Sequence, residues 1–113
     1  MSRLHDLATH DDLTGLNNRN HMNDMLAHYK RRHEECGEPF SVALIDLDHF
    51  KRINDSHGHA VGDEVLKAFA RQASDTLRQI DLIARWGGEE FLVLCPQTTP
   101  DQALIGLERL RLA

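Results

Sequence analysis

No stretch of this sequence approaches the roughly 20 consecutive apolar residues needed to cross a bilayer, and the opening MSRLHDLATHDD lacks the apolar segment of an export signal. Neither membrane contact nor secretion is expected of it, and a cytoplasmic location is. Cysteine is scarce. Cys36 and Cys95 are far apart and outside any CxxC spacing, which argues against a zinc site or a disulfide framework and for a reducing compartment. Basic residues are outnumbered, 13 against 18 acids, leaving a net charge of −5. No block of Lys and Arg alternates with aromatic residues, so a nucleic-acid surface is not indicated. The eight histidines never fall at the i, i+4 spacing of a zinc-binding helix, and His57-Gly58-His59 is only a weak pair. Internal repeats and low-complexity tracts are missing too.

What is present suits one globular domain. The chain has 113 residues, 41% of them hydrophobic and 27% charged, which supports a single ordinary core. Residues 1–10 read as the polar end of a connector helix, with Leu4 and Leu7 as its apolar positions. DDLTGLNNR, Asp11 to Arg19, reads as a turn leading into a helix capped by Asn17 or Asn18. Met22, Met25, Leu26 and Tyr29 give that helix one apolar face, and Gly37 with Pro39 ends it.

FSVALIDL, Phe40 to Leu47, is an apolar run of strand formers that predicts a central strand buried on both faces and closing in Asp46-Leu47-Asp48. DHFKRINDSHGHAVG is turn-rich. A second amphipathic helix follows, marked by Val65, Leu66, Phe69, Ala70, Ala73, Leu77 and Ile80, with Asp63 and Glu64 in its first turn. DLIARW and FLVLCP flank Gly87-Gly88 and predict a hairpin whose turn needs positive φ. Thr99-Pro100-Asp101-Gln102 carries the cap, proline and glutamine of another helix start, with Ala103, Leu104, Leu107 and Leu110 as its stripe. The order α, β, α, β-hairpin, α predicts an α+β fold with a mixed sheet flanked by helices, and the stop inside a helix suggests a missing C-terminal part.

RWGGEEF, Arg85 to Phe91, concentrates the chemistry. A glycine turn admits a ligand close to the backbone, and Glu89 and Glu90 leave it on opposite faces. If the hairpin pairs beside the first strand, Asp46 and Glu89 converge at that strand's carboxyl end. Two carboxylates so placed call for a hard divalent cation such as Mg²⁺, which would recruit a polyphosphate that an acidic protein otherwise repels. The plainer reading is a solvated hairpin end and a helix cap.

Together RWGGEEF, ALIDLDHFKRIND, GHAVGDEVL and DDLTGLNNR resemble, in order and spacing from Asp11 to Phe91, the GGDEF family of diguanylate cyclases in its GGEEF variant. The resemblance implies a nucleotidyl cyclase, ferredoxin-like GGDEF fold over residues 11–113, incomplete at its C-terminus. It also implies condensation of two GTP to cyclic di-GMP with release of pyrophosphate, in a homodimer governed by an upstream sensory domain. By motif position Asp46, Glu89 and the Leu47 carbonyl would hold Mg²⁺ or Mn²⁺. Asp46, Glu89 and Glu90 would be the catalytic acids, Glu89 helping to activate the ribose 3′-hydroxyl. Asn54 and Asp63 would read guanine, while Phe50, Lys51, Gly87 and Gly88 would line the substrate. Arg78 and Asp81 match an RxxD site at which product inhibits. Asp11 and Arg19 are expected to be structural, as a pair closing the opening turn. His57 departs from the aromatic residue usual there, and the family's further central strand and later phosphate-gripping bases are not in the sequence. The alternatives are a module that binds GTP or cyclic di-GMP without turnover, and a purely structural dimerisation unit.

Overall fold

The computed structural model describes residues 9–48, 50–77 and 79–104. The expected connector helix, residues 1–10, falls almost wholly outside them, as do Leu107 and Leu110 of the last predicted helix. Among the described residues no helix is long and apolar enough to cross a membrane.

The first helix, α1, spans Arg19–Cys36. Its N-cap is Asn18, whose side chain accepts from the His21 N–H at 2.8 Å, and its C-cap is Gly37, left-handed at φ 71° with its N–H on the His33 carbonyl. Both ends follow from local chemistry: a short amide side chain satisfies a free N–H, and glycine takes a positive φ without strain. β1, Phe40–Asp46, comes next. The segment expected to be turn-rich is instead helical, as α2 (Phe50–His57) and α3 (His59–Thr76) separated by Gly58 at φ 88°. Because α3 starts at His59, Asp63 and Glu64 lie beyond its first turn, which holds no acid. β2 (Leu82–Arg85) and β3 (Glu90–Pro96) form the predicted hairpin.

The sheet order is β1-β3-β2 and both pairings are antiparallel. Parallel contact is limited to an isolated bridge between Asn17 and Ala84, so the sheet is not mixed among the described residues. β3 is the central strand. Its alternation divides the core: Phe91, Val93 and Cys95 face Phe50, Leu66, Ala70 and Ala73 of α2 and α3, whereas Leu92 and Leu94 face Met22 of α1. Phe69 of α3 lies against Phe91 at 4.7 Å between centroids. β1, expected to be buried on both faces, is instead an edge, with Val42 and Leu44 50% and 57% exposed. An apolar run records what a strand can bury, whereas burial also needs a neighbour, and no described residue lies beyond β1.

Two glycines lie where a Cβ would meet another side chain. A Cβ on Gly62 would collide with the Asn54 side chain and lie 3.3 Å from the Phe50 ring, so α2 packs on α3 only with glycine there. A Cβ on Gly87 would sit 2.6 Å from Glu90 Oε1. Gly87 and Gly88 do not adopt positive φ, contrary to the hairpin expectation; the left-handed glycines are Gly15, Gly37 and Gly58. A larger residue at Gly87 would have to displace the end of the Glu90 side chain.

At the opposite end of the sheet Arg32 Nε donates to the Glu38 carboxylate, and Gln97 Nε2 donates to its other oxygen at 2.9 Å. These bonds, Arg32 first, hold the Glu38 carboxyl below its ordinary value near 4.5. A depressed folded pKa gives stability that is fully present above the unfolded value and lost as pH falls through the folded one. Urea midpoints for Glu38→Gln should therefore drop relative to the parent at neutral pH and converge with it on acidification below the carboxylate range. Gly62→Ala should cost about 1–3 kcal/mol in the same assay, because the Asn54 and Phe50 side chains must both move; an unchanged midpoint would contradict this packing.

Candidate functional site

The first group of predicted residues gathers where β1 ends and β3 begins. Asp46, the exposed last residue of β1, is the Cα partner of Glu90, and the ladder continues one rung further with the Leu47 N–H donating to the Glu89 carbonyl at 3.2 Å. The sequence predicts that Asp46 converges with Glu89, whereas the residue directly across the ladder from Asp46 is Glu90. By strand alternation Glu90 shares the face of Asp46, while Glu89 stands at a bend just before the strand. The turn is closed by the Trp86 and Gly87 N–H groups, both donating to the Glu90 carbonyl, at 2.8 and 3.2 Å. The donors available here are carboxylate and carbonyl oxygens. Among the described residues no three His, Cys, Asp or Glu side chains form a metal cluster, so protein side chains alone do not make a closed cage. One or two carboxylates with retained waters and substrate phosphates suit Mg²⁺, and this donor set fits it.

The second group lies on the α2–α3 pair. Phe50 opens α2, but its side chain is buried in the core, 7% exposed, so only its backbone is free to meet a ligand. Lys51 beside it is exposed. Asn54 is half-buried, and its Oδ1 is enclosed without a hydrogen-bond partner. A buried acceptor left unpaired costs about 1–3 kcal/mol. Asp63, exposed, follows Gly62, the residue against which the Asn54 side chain is set. The packing of the two helices thus sets Asn54 against the residue that precedes Asp63. Asp81 is half-buried just before β2; Arg78 lies outside the described residues.

A third group was not foreseen as such. Asp11 was expected to pair with Arg19, but its carboxylate faces Arg85, Nη1 to Oδ1 at 3.4 Å, with both side chains about four-fifths buried. The Asp11 carboxylate is itself held by the Thr14 N–H and hydroxyl, each donating at 2.8 Å. Arg85 also donates to the Gly88 carbonyl through Nε at 3.2 Å and Nη2 at 2.8 Å. Arg19 lies over the Trp86 ring, 4.3 Å from its centroid, and donates to the Trp86 carbonyl at 3.4 Å. The Arg85 N–H donates to the Asn17 carbonyl at 3.0 Å and Asn17 Nδ2 to the Ile83 carbonyl at 3.1 Å, so the opening turn lies along the free edge of β2. An open groove of about 310 Å³ separates this turn from Gly87-Gly88. The one sequence signal for Arg85 was its position immediately before the Trp-Gly-Gly turn.

Comparison with known proteins places these residues in a family. The diguanylate cyclase GGDEF-domain family model matches residues 8–113. The response regulator PleD of Caulobacter vibrioides is 48% identical over 107 residues, 95% of this chain and 24% of PleD. The diguanylate cyclase SiaD of Pseudomonas aeruginosa, solved with its activator SiaC, superposes with a TM-score of 0.90 at 44% identity, over 96% of this chain and 42% of that one. The GGDEF domain of DgcB from Caulobacter crescentus, solved with cyclic di-GMP, gives 0.88 at 36% identity, over 92% and 61%. This chain therefore spans only part of its relatives' length. With its acids, glycines and guanidinium brace set around one end of an antiparallel sheet, it belongs to the GGDEF domain family of diguanylate cyclases.

Proposed function

We propose that this domain condenses two molecules of GTP into cyclic di-GMP, working as a homodimer in which each subunit presents one GTP to the other. The observation that carries the proposal is the meeting of Asp46 and Leu47 with Glu89 and Glu90 on adjacent rungs of the sheet, beside a helix pair in which Asn54 is set against Gly62, the residue before Asp63. The first group suits a triphosphate and the second a base.

Asp46, Glu89 and the Leu47 carbonyl would hold Mg²⁺ or Mn²⁺. When bound, such an ion neutralises phosphate charge and acts as a Lewis acid at the α-phosphorus. The remaining work falls to the chain. The Asn54 amide, once its side chain turns out from its enclosed place against Gly62, accepts from the donor edge of guanine, and the Asp63 carboxylate takes its N–H groups. Backbone N–H groups at the start of α2 and the Lys51 ammonium receive the phosphate oxygens, since the first N–H groups of a helix have no partners within it. The narrow Gly87-Gly88 turn leaves the ribose room against the backbone. Glu89 accepts the proton of the 3′-hydroxyl as its oxygen bonds to the partner's α-phosphorus, and the bond from that phosphorus to the β-phosphate oxygen breaks to release pyrophosphate. Two such transfers close the ring.

Arg78 and Asp81 are proposed to bind the product, the guanidinium taking a phosphate or guanine edge in a bidentate grip and the carboxylate accepting from the base. A domain that binds cyclic di-GMP without making it is the second reading, favoured by one observation: the GGDEF domain of DgcB was solved with that ligand.

Incubation with GTP and Mg²⁺ followed by chromatography should yield cyclic di-GMP. In Asp46→Ala and Glu89→Ala the rate should fall by about two orders of magnitude or more, the several kcal/mol that the ion supplies. Product formation that survives Asp46→Ala would remove the assignment of the ion's ligands. Calorimetry with cyclic di-GMP separates the second reading, which predicts heat without turnover. In that titration Arg78→Ala should weaken binding about 10-fold or more, the worth of a charged hydrogen bond.

A further inference from the structure

Glu89 follows two glycines that leave the backbone before it unusually free. Gly88 has open space where a Cβ would sit, and neither glycine is held in a left-handed conformation; the turn's own bonds take up the Trp86 and Gly87 N–H groups and leave the carbonyl that precedes Glu89 to other donors. Such a peptide samples many orientations unless something outside it intervenes. The Arg85 guanidinium does intervene: two of its nitrogens converge on the Gly88 carbonyl, at 3.2 and 2.8 Å. Its third nitrogen faces Asp11 at 3.4 Å. Asp11 is in turn fixed by Thr14 and by the closure of its own turn, where the Asp11 N–H donates to the Leu16 carbonyl and the Gly15 N–H to the Asp11 carbonyl.

We propose that Arg85 is a positioning residue for Glu89, orienting it by clamping the Gly88 carbonyl, and that Asp11 orients Arg85, so that the opening turn sets the geometry of the acidic end. The proposal rests on the reading of Glu89 as a catalytic group. A second cation works on the other side of the bend, since Arg19 stacks on Trp86 and donates to its carbonyl. The residues before and after Gly87 are thus held from one segment, 11–19. That segment is joined to what precedes it by the Asn18 N–H donating to the Thr9 carbonyl at 2.9 Å. A shift of the chain at residue 9 therefore reaches the carbonyl before Glu89 through one turn and one guanidinium.

The decisive variant is Arg85→Lys, made in the full chain. Lysine keeps a positive charge towards Asp11 but cannot place two nitrogens on the Gly88 carbonyl. An ion pair serving stability alone would be rescued by it. A positioning role predicts that kcat for cyclic di-GMP falls on the order of 10²-fold, as small displacements of a catalytic group do. KM for GTP should change much less than kcat, since Asn54, Asp63 and Lys51, assigned to the base and the phosphates, are untouched. Asp11→Asn, which still accepts from Thr14, should lower kcat in the same sense by less. Wild-type kcat in Arg85→Lys overturns the proposal. If the parent chain makes no product, the assignment of turnover has failed, but the clamp is still read at Trp86, the chain's one tryptophan. Acrylamide quenching of its fluorescence should rise, and exchange of the Gly87 amide should quicken about 10-fold, in both variants. Unchanged quenching and exchange would refute the clamp. Should Arg85→Lys fail to fold, Asp11→Asn gives the same readouts.

Discussion

A single backbone hydrogen bond, from the Leu47 N–H to the Glu89 carbonyl at 3.2 Å, ties the end of one strand to the mouth of a distant turn. Everything assigned to the acidic end depends on it. Without that rung, the ladder would stop at Asp46 opposite Glu90, and Glu89 would not be tied to the end of β1. With it, the backbones of Asp46, Leu47, Glu89 and Glu90 are neighbours before any ligand arrives. The bond is itself the last of a series running from Phe40 opposite Pro96 to Asp46 opposite Glu90. The apolar contacts of β3 on both its faces therefore stabilise a polar arrangement at its tip.

The order in which sequence reasoning succeeded follows the range of the interactions involved. Caps were legible because they are made within four residues: Asn18 on His21, Gly37 at the end of α1, and the reciprocal bonds of Thr99 and Gln102, at 3.0 and 3.4 Å. The hairpin was legible from Gly-Gly between two apolar runs. The start of α3 was not, because Gly58 provides no side-chain cap and the helix begins six residues before its apolar stripe declares itself. The place of β1 at the edge of the described sheet was not legible, since seven apolar-rich residues look alike whether a strand has one neighbour or two.

At the site the same division holds. Asp46, Glu89 and Glu90 were singled out from motif order, and the ladder brings their segments together. The pairing of Asp11 was assigned to the nearer arginine, eight residues away, when the partner lies 74 residues away. Nothing local distinguishes those two guanidinium groups; only the placement of the opening turn along the edge of β2 decides it. Asn54 was singled out for its offset, but its enclosed oxygen depends on how two helices cross at Gly62, which is a tertiary property.

The register of the hairpin has a consequence for how such a domain can change over generations. Arg85 pairs with Phe91, and every later pair alternates between the helix layers on the two sides of β3. Inserting or deleting one residue in the bend would turn Phe91, Val93 and Cys95 towards α1 and send Leu92 and Leu94 to the other side. Composition in this short loop can drift, but its length is locked by the interior on both sides, so lineages that abandon the acids are expected to keep the same count of residues between the strands.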